Sequence, residues 1–320
     1  MQQVRSVVSA ELDAVNAVIV DQLKSDVEMV ENVGQYIVDA GGKRLRPMLV
    51  LLAAKALAAD AEAQVKFAAV VEFIHTATLL HDDVVDVSEL RRGRPTANSQ
   101  FGNAPSVLVG DFLYTRAFQL MVSLDNFALL RMMADTTNTI AAGEVLQLIR
   151  AGDAATTEAQ YYDVIERKTA ALFAAACEGA GLLAGSSEDT VAQLSRYGRN
   201  LGIAFQLVDD LLDYEGDPEL TGKNVGDDLA EGKPTLPLIH AMRSGNAMHA
   251  ETVRDAISGK RRERFPEVVE AVRASGGLEY TRSAADACRD AALSALSVLE
   301  PSRARDALEE LAQLSVRRSA

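Results

Sequence analysis

Three aspartates lie close together in the stretch HTATLLHDDVVDVSELRRGRP, which runs from residue 75 to residue 95. Asp82 and Asp86 are four residues apart, so on a helix their carboxylates share one face, and Asp83 lies beside them. Clustered carboxylates repel one another unless a cation lies between them, and oxygen ligands favour a hard cation such as Mg²⁺. The spacing therefore predicts a metal-binding acidic face.

Three arginines, Arg91, Arg92 and Arg94, follow this acidic motif directly. Guanidinium groups bind phosphate oxygens through paired hydrogen bonds. A metal-binding acidic face next to such a cluster is the combination that binds a magnesium-chelated di- or triphosphate. The simpler alternative for the motif alone is a solvated acidic helix end followed by a charged loop.

A second acidic motif, DDLLD, contains Asp209, Asp210 and Asp213 and begins 127 residues after Asp82. It again ends a long apolar helical pattern, so it is not part of one local run of charge. Two such helices can face one another across a cavity, where two or three divalent ions would bind a single diphosphate. Two motifs of this kind are much stronger evidence than one.

Two further segments carry basic residues among glycines, which allow tight loops and close backbone approach. The segment GKNVGDDLAEGKPTLP contains Lys223, Asp227, Asp228 and Lys233. The segment GKRLRP contains Lys43, Arg44 and Arg46. The simpler alternative for GKRLRP is a group of solvent-exposed charges at a helix start. Phosphate binding is preferred here because a second phosphate site would need such a basic cluster.

The composition limits the class of protein. The chain has 320 residues, 48% of them apolar, with 8 prolines and no tryptophan, which suits a helical protein with a large core. A net charge of −14 argues against nucleic acid and anionic membranes as partners. The two cysteines, Cys177 and Cys288, lack metal-ligand spacing and are expected to be reduced thiols.

Helical periodicity recurs along nearly the whole chain, and no convincing alternating strand is found. The sequence TEAQ at Thr157 predicts a capping box that starts a helix reaching about residue 183. No linker or repeat appears, so a single all-α domain over residues 1–320 is predicted. No transmembrane span or signal peptide is expected, and a cytoplasmic protein is the default.

Five motifs in this order resemble those of the trans-polyprenyl diphosphate synthases. They are GKRLRP, EFIHTATLLHDDVVD, LRRGRPTAN, GIAFQLVDDLLD and GKNVGDDLAEGKPTLP. The resemblance covers about residues 30–240 and is closest to the long-chain members, the octaprenyl to decaprenyl diphosphate synthases that supply quinone side chains. It implies a bundle of about ten to thirteen helices around a central cavity, and a homodimer with its interface near residues 105–150.

The resemblance also implies a role for each matching residue. Asp82, Asp86 and Asp209 would bind two or three Mg²⁺ ions that chelate an allylic diphosphate, supported by Asp83, Asp210 and Asp213. Arg91, Lys168, Lys223 and Lys233 would hold the same diphosphate. Lys43, Arg46, His75 and Arg92 would hold isopentenyl diphosphate. Thr169 and Gln206 would direct dipoles at the allylic cation, and His81 would support the first motif.

By the same resemblance, the growing hydrocarbon would run from the first acidic motif along the helix that carries it. Ala77 and Thr78 stand where shorter-chain synthases carry an aromatic ring, and both are small here. The tunnel would therefore continue, with Phe118, Met121 and Met133 as candidates for its floor. This predicts a product of about C40 to C50, made from an allylic primer such as farnesyl diphosphate.

Several alternatives stay open at this point. A farnesyl or geranylgeranyl diphosphate synthase would make a shorter product. A terpene cyclase would share one acidic motif but would not need GKRLRP and His75. A non-catalytic subunit of a two-component synthase typically lacks one or both acidic motifs. A helical Mg²⁺- or Ca²⁺-binding structural protein would leave the basic residues unexplained.

Overall fold

A computed structural model of the chain describes residues 1–91, 93–215 and 225–317. It confirms the predicted all-α class, although short helices bring their number above the ten to thirteen expected. The helices are α1 Gln2–Ser6, α2 Ser9–Gln22, α3 Glu28–Asp39, α4 Leu45–Ala56, α5 Ala61–Val85, α6 Ala97–Phe101, α7 Asn103–Val122, α8 Phe127–Arg150, α9 Glu158–Ile165, α10 Ala171–Leu183, α11 Glu188–Glu215, α12 Asp227–Glu231, α13 Leu236–Ser244, α14 Ala247–Gly259, α15 Phe265–Ala274, α16 Gly277–Ala295 and α17 Arg303–Val316.

Local sequence signals set several of these boundaries. Asp60 caps α5 by accepting a hydrogen bond from the Ala63 amide at 3.1 Å. The predicted capping box is present at the start of α9, where Thr157 and Gln160 satisfy each other's backbone amides. Helix α3 ends just before the Gly41-Gly42 pair, as expected, and Gly41 adopts a positive φ of 66°.

The polypeptide forms two compact units. One comprises Met1–Thr137, Leu172–Gly198 and Ser294–Leu311, and the other comprises Asn138–Ala171, Arg199–Leu293 and Ala312–Ala320. The first acidic motif belongs to the first unit and the second motif to the second. The prediction of one domain over residues 1–320 and the prediction that the two motifs face one another both stay predictions.

Helix α5 lies at the centre of the first unit. It packs against α2, α4 and α7, and 12 of its 25 residues are buried. Helices α4 and α10, both rich in apolar residues, are buried along most of their length. This packing gives the first acidic motif a rigid support, because the motif ends α5.

The second unit has its own apolar core. Side chains from α11, α13, α14, α15 and α16 meet there, among them Leu207, Leu236, Val253 and Val272. Helix α11 contributes Leu207 and Leu211 to this core and carries the second acidic motif at its C-terminal end. The motif is therefore held by a helix that is fixed along its apolar face.

The arginine-rich loop after α5 contains a small hairpin that the sequence did not predict. Leu90–Arg91 (β1) pairs antiparallel with Arg94–Pro95 (β2). Gly93, with a positive φ of 72°, allows the tight reversal. Two residues per strand are too few to produce a visible alternation of apolar and polar residues, which explains the miss.

The long helix predicted from Thr157 to about residue 183 is interrupted. A π-helical turn at Glu166–Ala170 separates α9 from α10. Such turns insert one additional residue into a helical turn and are frequent at functional sites. Lys168 and Thr169, both predicted site residues, lie on this turn.

Among the described residues, α5 is also the one helix that is long and apolar enough to cross a membrane by length and composition alone. Of its most apolar 18-residue window, 67% is buried inside the protein. Buried core helices of soluble proteins meet the same criterion, so the expectation of no membrane span stays a prediction.

Candidate functional site

The three carboxylates of the first acidic motif differ in how deeply they are buried. Asp82 and Asp86 are half-buried, whereas Asp83 is only 4% exposed. Asp83 accepts hydrogen bonds from Arg91, at 2.9 Å from Nε and 2.7 Å from Nη2. Because a buried carboxylate needs a partner, this ion pair joins α5 to strand β1. Asp83 thus supports the motif, while Asp82 and Asp86 are the carboxylates accessible to a ligand.

Polar side chains after β2 fix the hairpin against the end of α5. The Asn98 side-chain amide donates to the backbone carbonyl of Asp83 at 3.2 Å. The Thr96 hydroxyl donates to the Ser88 carbonyl at 2.7 Å. These bonds satisfy carbonyls at the helix end and position Arg91 beside the acidic motif. His81 is held separately, with Nε2 at 3.1 Å from the Val107 carbonyl.

Two of the residues predicted to hold isopentenyl diphosphate are in direct contact. Arg46 lies on the first turn of α4, and its Nη1 is 3.0 Å from Nε2 of His75 on α5. The Arg46 guanidinium also stacks over the Phe173 ring, 4.5 Å from its centroid. Burial lowers the pKa of Arg46 to about 10, an effect that the charge of Glu72 opposes. Arg46 is therefore still cationic at neutral pH.

The neighbouring basic residues differ in their surroundings. Arg44 forms an ion pair with Glu72, and both side chains are largely buried. Arg44 also has a positive φ of 48° at the start of α4, a conformation that costs free energy outside glycine. Lys43, by contrast, is exposed. The Arg44–Glu72 pair thus anchors the segment from which Lys43 and Arg46 project.

The residues predicted to set product length occupy α5, α7 and α8. Ala77 is fully buried, and the Thr78 hydroxyl donates to the His75 carbonyl one turn earlier, at 2.8 Å. Met121 is 1% exposed and Met133 is fully buried, whereas Phe118 is half-buried beside Tyr114. All five belong to the first unit, and their role in chain length stays a prediction.

The second acidic motif also contains one buried carboxylate whose oxygens accept hydrogen bonds from other side chains. Asp210 is 2% exposed and accepts hydrogen bonds from the Tyr161 hydroxyl at 2.5 Å and from Gln206 Nε2 at 2.9 Å. Burial raises the pKa of Asp210 well above that of an ordinary aspartate, and the charge of Asp228 adds to the increase. The two hydrogen bonds oppose this shift by stabilising the carboxylate.

Asp213 is the member of this motif with an unsatisfied atom. Its Oδ1 accepts from the Asp227 amide at 3.1 Å, whereas Oδ2 is buried without a hydrogen-bond partner. Burial raises the pKa of Asp213 to about 8, and Asp228 contributes further. A carboxylate oxygen in this condition gains free energy from a bound cation or a proton.

The π-turn connects two predicted residues to different helices, Thr169 to α11 and Lys168 to α8. The Thr169 hydroxyl donates to Gln206 Oε1 at 2.9 Å, and Lys168 forms an ion pair with Glu144 at 2.5 Å. Gly143 makes room for the turn, because a Cβ there would lie 2.7 Å from Arg167 Cβ and 2.8 Å from the Lys168 nitrogen. A small residue on α8 is therefore needed for the turn to pack.

The glycine-rich segment after α11 is described in part. Lys233 is 23% exposed at its side chain and pairs with Glu231, and its amide donates to the Asp228 carbonyl at 2.8 Å. The predicted site residues Arg92 and Lys223 lie outside the described residues. Their assignments rest on the sequence motifs alone.

The side chains of the acidic motifs can be compared with what a divalent cation needs from a protein. Within residues 1–91, 93–215 and 225–317, no three His, Cys, Asp or Glu side chains are placed to hold a metal by themselves. Mg²⁺ is usually bound by one or two carboxylates together with water and substrate phosphates, so a complete protein cage is not required. In the first unit the hard oxygen donors of Asp82 and Asp86 suit an ion of this kind. In the second unit the unsatisfied Oδ2 of Asp213 offers the same type of donor.

Sequence reasoning missed four residues that hold the predicted site residues in place. They are Glu72, Glu144, Tyr161 and Phe173, partners of Arg44, Lys168, Asp210 and Arg46 respectively. Glu72 offered a signal, because a lone carboxylate in an apolar helix needs a cationic partner. Tyr161 and Phe173 offered none, since an aromatic residue at helical spacing is ordinary core.

The chain is similar to known proteins along most of its length. The polyprenyl synthetase family model matches residues 27–274. An octaprenyl diphosphate synthase of Escherichia coli (strain K12) is 52% identical over 319 residues, covering 99% of each chain.

Two solved structures are similar along the whole chain. A polyprenyl synthase from Caulobacter crescentus CB15, complexed with calcium and isoprenyl diphosphate, is 44% identical with a TM-score of 0.96 and covers 100% of this chain and 98% of its own. A decaprenyl diphosphate synthase from Rhodobacter capsulatus is 44% identical with a TM-score of 0.94, covering 100% and 99%. The chain belongs to the polyprenyl synthetase family, whose members are prenyltransferases that act on isoprenyl diphosphates.

Proposed function

We propose that this protein is a long-chain trans-polyprenyl diphosphate synthase, which condenses isopentenyl diphosphate repeatedly with an allylic diphosphate. The observation that carries this proposal is 52% identity to an octaprenyl diphosphate synthase over 99% of both chains. Both acidic motifs are intact in the sequence, which argues against a non-catalytic subunit. Farnesyl diphosphate is the proposed primer.

The allylic substrate is assigned to the acidic motifs and their basic neighbours. Asp82, Asp86 and Asp209 would bind the metal ions that accompany its diphosphate, supported by Asp83, Asp210 and Asp213. Arg91, Lys168, Lys223 and Lys233 would bind its phosphate oxygens. Cationic side chains stabilise the negative charge that develops on diphosphate as its bond to carbon breaks.

Isopentenyl diphosphate is assigned to Lys43, Arg46, His75 and Arg92. The contact between Arg46 and His75 supports this assignment, because both donors are fixed before the substrate binds. Fixed donors hold the double bond beside the allylic carbon and reduce the entropy lost in the reaction. Thr169 and Gln206 would direct the oxygen ends of their dipoles at the allylic cation.

Mg²⁺ is the proposed cation. When bound with the diphosphate, it would neutralise charge on the leaving group. The Caulobacter crescentus relative is complexed with calcium, an ion that takes the same oxygen ligands. Mg²⁺ usually keeps part of its water shell, which suits a motif that offers two accessible carboxylates, Asp82 and Asp86.

The proposed product is about C40 to C50 and is consumed in making a quinone side chain. Small Ala77 and Thr78 leave the start of the tunnel open, and buried Met121 and Met133, with Phe118, would form its floor. The alternative, a geranylgeranyl or farnesyl product, requires a bulky side chain near Ala77. The proposed location is cytoplasmic.

A homodimer is proposed through α7 and α8. These helices expose large apolar side chains, 58 to 79% accessible, at Leu108, Val122, Phe127, Val145, Leu148 and Ile149. Exposed apolar groups at this density mark protein contacts. Light scattering on purified protein would measure the mass, and Phe127→Glu is expected to lower it; a monomeric wild type would contradict the assignment.

The enzymatic proposal is tested by incubating the protein with Mg²⁺, farnesyl diphosphate and labelled isopentenyl diphosphate. The dephosphorylated product is then identified by mass spectrometry. A ladder ending between about C40 and C50 is expected. A product no longer than C20, or no elongation at all, would overturn the long-chain assignment.

A further inference from the structure

Four side chains in the second unit form a continuous hydrogen-bonded chain. Tyr161 on α9 donates to Asp210 Oδ2 at 2.5 Å, and Gln206 Nε2 donates to Asp210 Oδ1 at 2.9 Å. Thr169 on the π-turn donates to Gln206 Oε1 at 2.9 Å. Tyr161 is 5% exposed and Asp210 2% exposed, so water competes little for these bonds. The chain connects α9, α11 and the π-turn.

The chemistry of the groups fixes the direction of every bond. Both oxygens of Asp210 are acceptors in this arrangement: Oδ2 accepts from Tyr161, and Oδ1 accepts from the nitrogen end of the Gln206 amide. The carbonyl end of Gln206 must then point to Thr169. Rotating the amide by half a turn would place its oxygen against Asp210 and its nitrogen against the Thr169 hydroxyl hydrogen. Asp210 therefore sets the orientation of both dipoles.

Asp210 in turn depends on Tyr161. The phenol supplies the second hydrogen bond that this buried carboxylate receives. Without it, Oδ2 would be left buried and unsatisfied, which is destabilising. The carboxyl group would then rotate towards another donor and release Gln206. An aromatic ring without a hydroxyl cannot replace this function.

We propose that Tyr161 is a positioning residue for prenyl transfer, acting through Asp210 to hold the Gln206 amide and the Thr169 hydroxyl in one orientation. This inference rests on the proposed function. Tyr161 forms no bond to substrate and transfers no proton. Its contribution is that the dipoles are already oriented when the allylic carbon becomes positive, so no free energy is spent on turning them.

The test compares two variants that each remove one buried phenol hydroxyl. Tyr161→Phe removes the donor to Asp210, and Tyr197→Phe removes a 2.8 Å bond to the Leu308 carbonyl in the first unit. Both should lower Tm comparably. Tyr161→Phe is expected to reduce kcat by about 10- to 100-fold with KM for isopentenyl diphosphate unchanged. Tyr197→Phe is expected to leave kcat unchanged well below its Tm.

A double-mutant cycle tests whether Tyr161 acts through Gln206. If it does, Tyr161→Phe lowers kcat no further in a Gln206→Leu background. If kcat of the double variant falls by the product of the two single-variant losses, the proposal is overturned. An unchanged kcat in folded Tyr161→Phe, or an equal fall in Tyr197→Phe, would also overturn it.

A second measurement uses the wild-type protein and needs no turnover. The side-chain amide protons of Gln206, assigned by their loss in Gln206→Leu, are expected to exchange with solvent more slowly than those of an exposed glutamine, because one of them donates to buried Asp210. Fast exchange would mean that the amide is not held and would overturn the proposal, whatever the assay shows. Failure of wild-type elongation would instead contradict the proposed function.

Discussion

Arg91 and Asp83 form a two-point ion pair that joins strand β1 to the end of α5, with Nη2 at 2.7 Å from Oδ1. The pair uses one carboxylate of the first acidic motif for structure, whereas Asp82 and Asp86, which are half-buried, are the proposed metal ligands. It also fixes the Arg91 side chain near the site of the proposed diphosphate. The three aspartates are therefore expected to differ in their sensitivity to mutation.

The first prediction ranks these aspartates. Asp83→Asn should lower kcat by about 10- to 100-fold, as the loss of a group that supports a metal ligand does. Asp82→Ala should lower it further, because a direct ligand is removed. Steady-state kinetics at saturating Mg²⁺ would measure both. Equal activities for the two variants would contradict the division of roles.

The second prediction concerns both motifs together. Asp82→Ala and Asp209→Ala should each abolish most turnover while circular dichroism and Tm stay close to wild type, since both side chains are half-buried. Leu207→Ala, which opens a cavity in the second core, is the matched control: it should lower Tm first, at a cost of about 2–5 kcal/mol. Retained turnover in both aspartate variants would refute their assigned roles.

The third prediction concerns product length. Ala77→Tyr should shorten the product, because the new ring would fill the space beneath the first acidic motif. Ala77→Ser, which adds little volume, should keep the wild-type product. Mass spectrometry of dephosphorylated products measures both. An unchanged length in a folded Ala77→Tyr variant would show that the hydrocarbon follows another path.

The fourth prediction follows from the pKa of Asp213, raised by burial to about 8. In metal-free protein the folded state retains this proton while the unfolded state loses it near pH 4, so stability falls as pH rises from about 4 to about 8. Each tenfold difference in proton affinity is worth about 1.4 kcal/mol, and each 1 kcal/mol shifts the Tm of a domain of 150–250 residues by about 2–4 °C.

Asp213→Asn should therefore raise Tm above wild type at pH 8 and change it little at pH 5, where Asp213 is already neutral. Melting curves in EDTA at both pH values would measure this. A Tm gain of the same size at both pH values would contradict the argument. Adding Mg²⁺ with inorganic diphosphate should narrow the difference at pH 8 by stabilising the wild-type carboxylate.

The fifth prediction concerns the glycine that packs against the π-turn. Gly143→Ala would place a methyl group 2.8 Å from the Lys168 nitrogen, and overpacking of this kind costs about 1–3 kcal/mol. It should also lower kcat, because Lys168 and Thr169 would shift. Gly181→Ala is the matched control, since a Cβ there would meet its nearest neighbour, a Val191 methyl, only at 3.2 Å. Equal effects of the two changes would contradict the role of the turn.

The sequence predicted the long helices well because their apolar periodicity and their end signals agree. Helices α5 and α11 end at the predicted acidic motifs. The acidic residues were identifiable because clustered carboxylates are costly without a cation. Two-residue strands and a single π-turn leave no periodic signal, and partners such as Tyr161 and Glu144 are chosen by tertiary contact alone.

The π-turn at Glu166–Ala170 has a consequence for how the sequence around it is read. One additional residue rotates every later side chain by about 100° relative to an uninterrupted helix. The side chains after the turn therefore do not continue the helical phase of α9. A single helical wheel drawn through α9 and α10 would place the residues of one helix on the wrong face. Deleting one residue from this turn would remove the additional residue and restore one continuous helical phase along the segment.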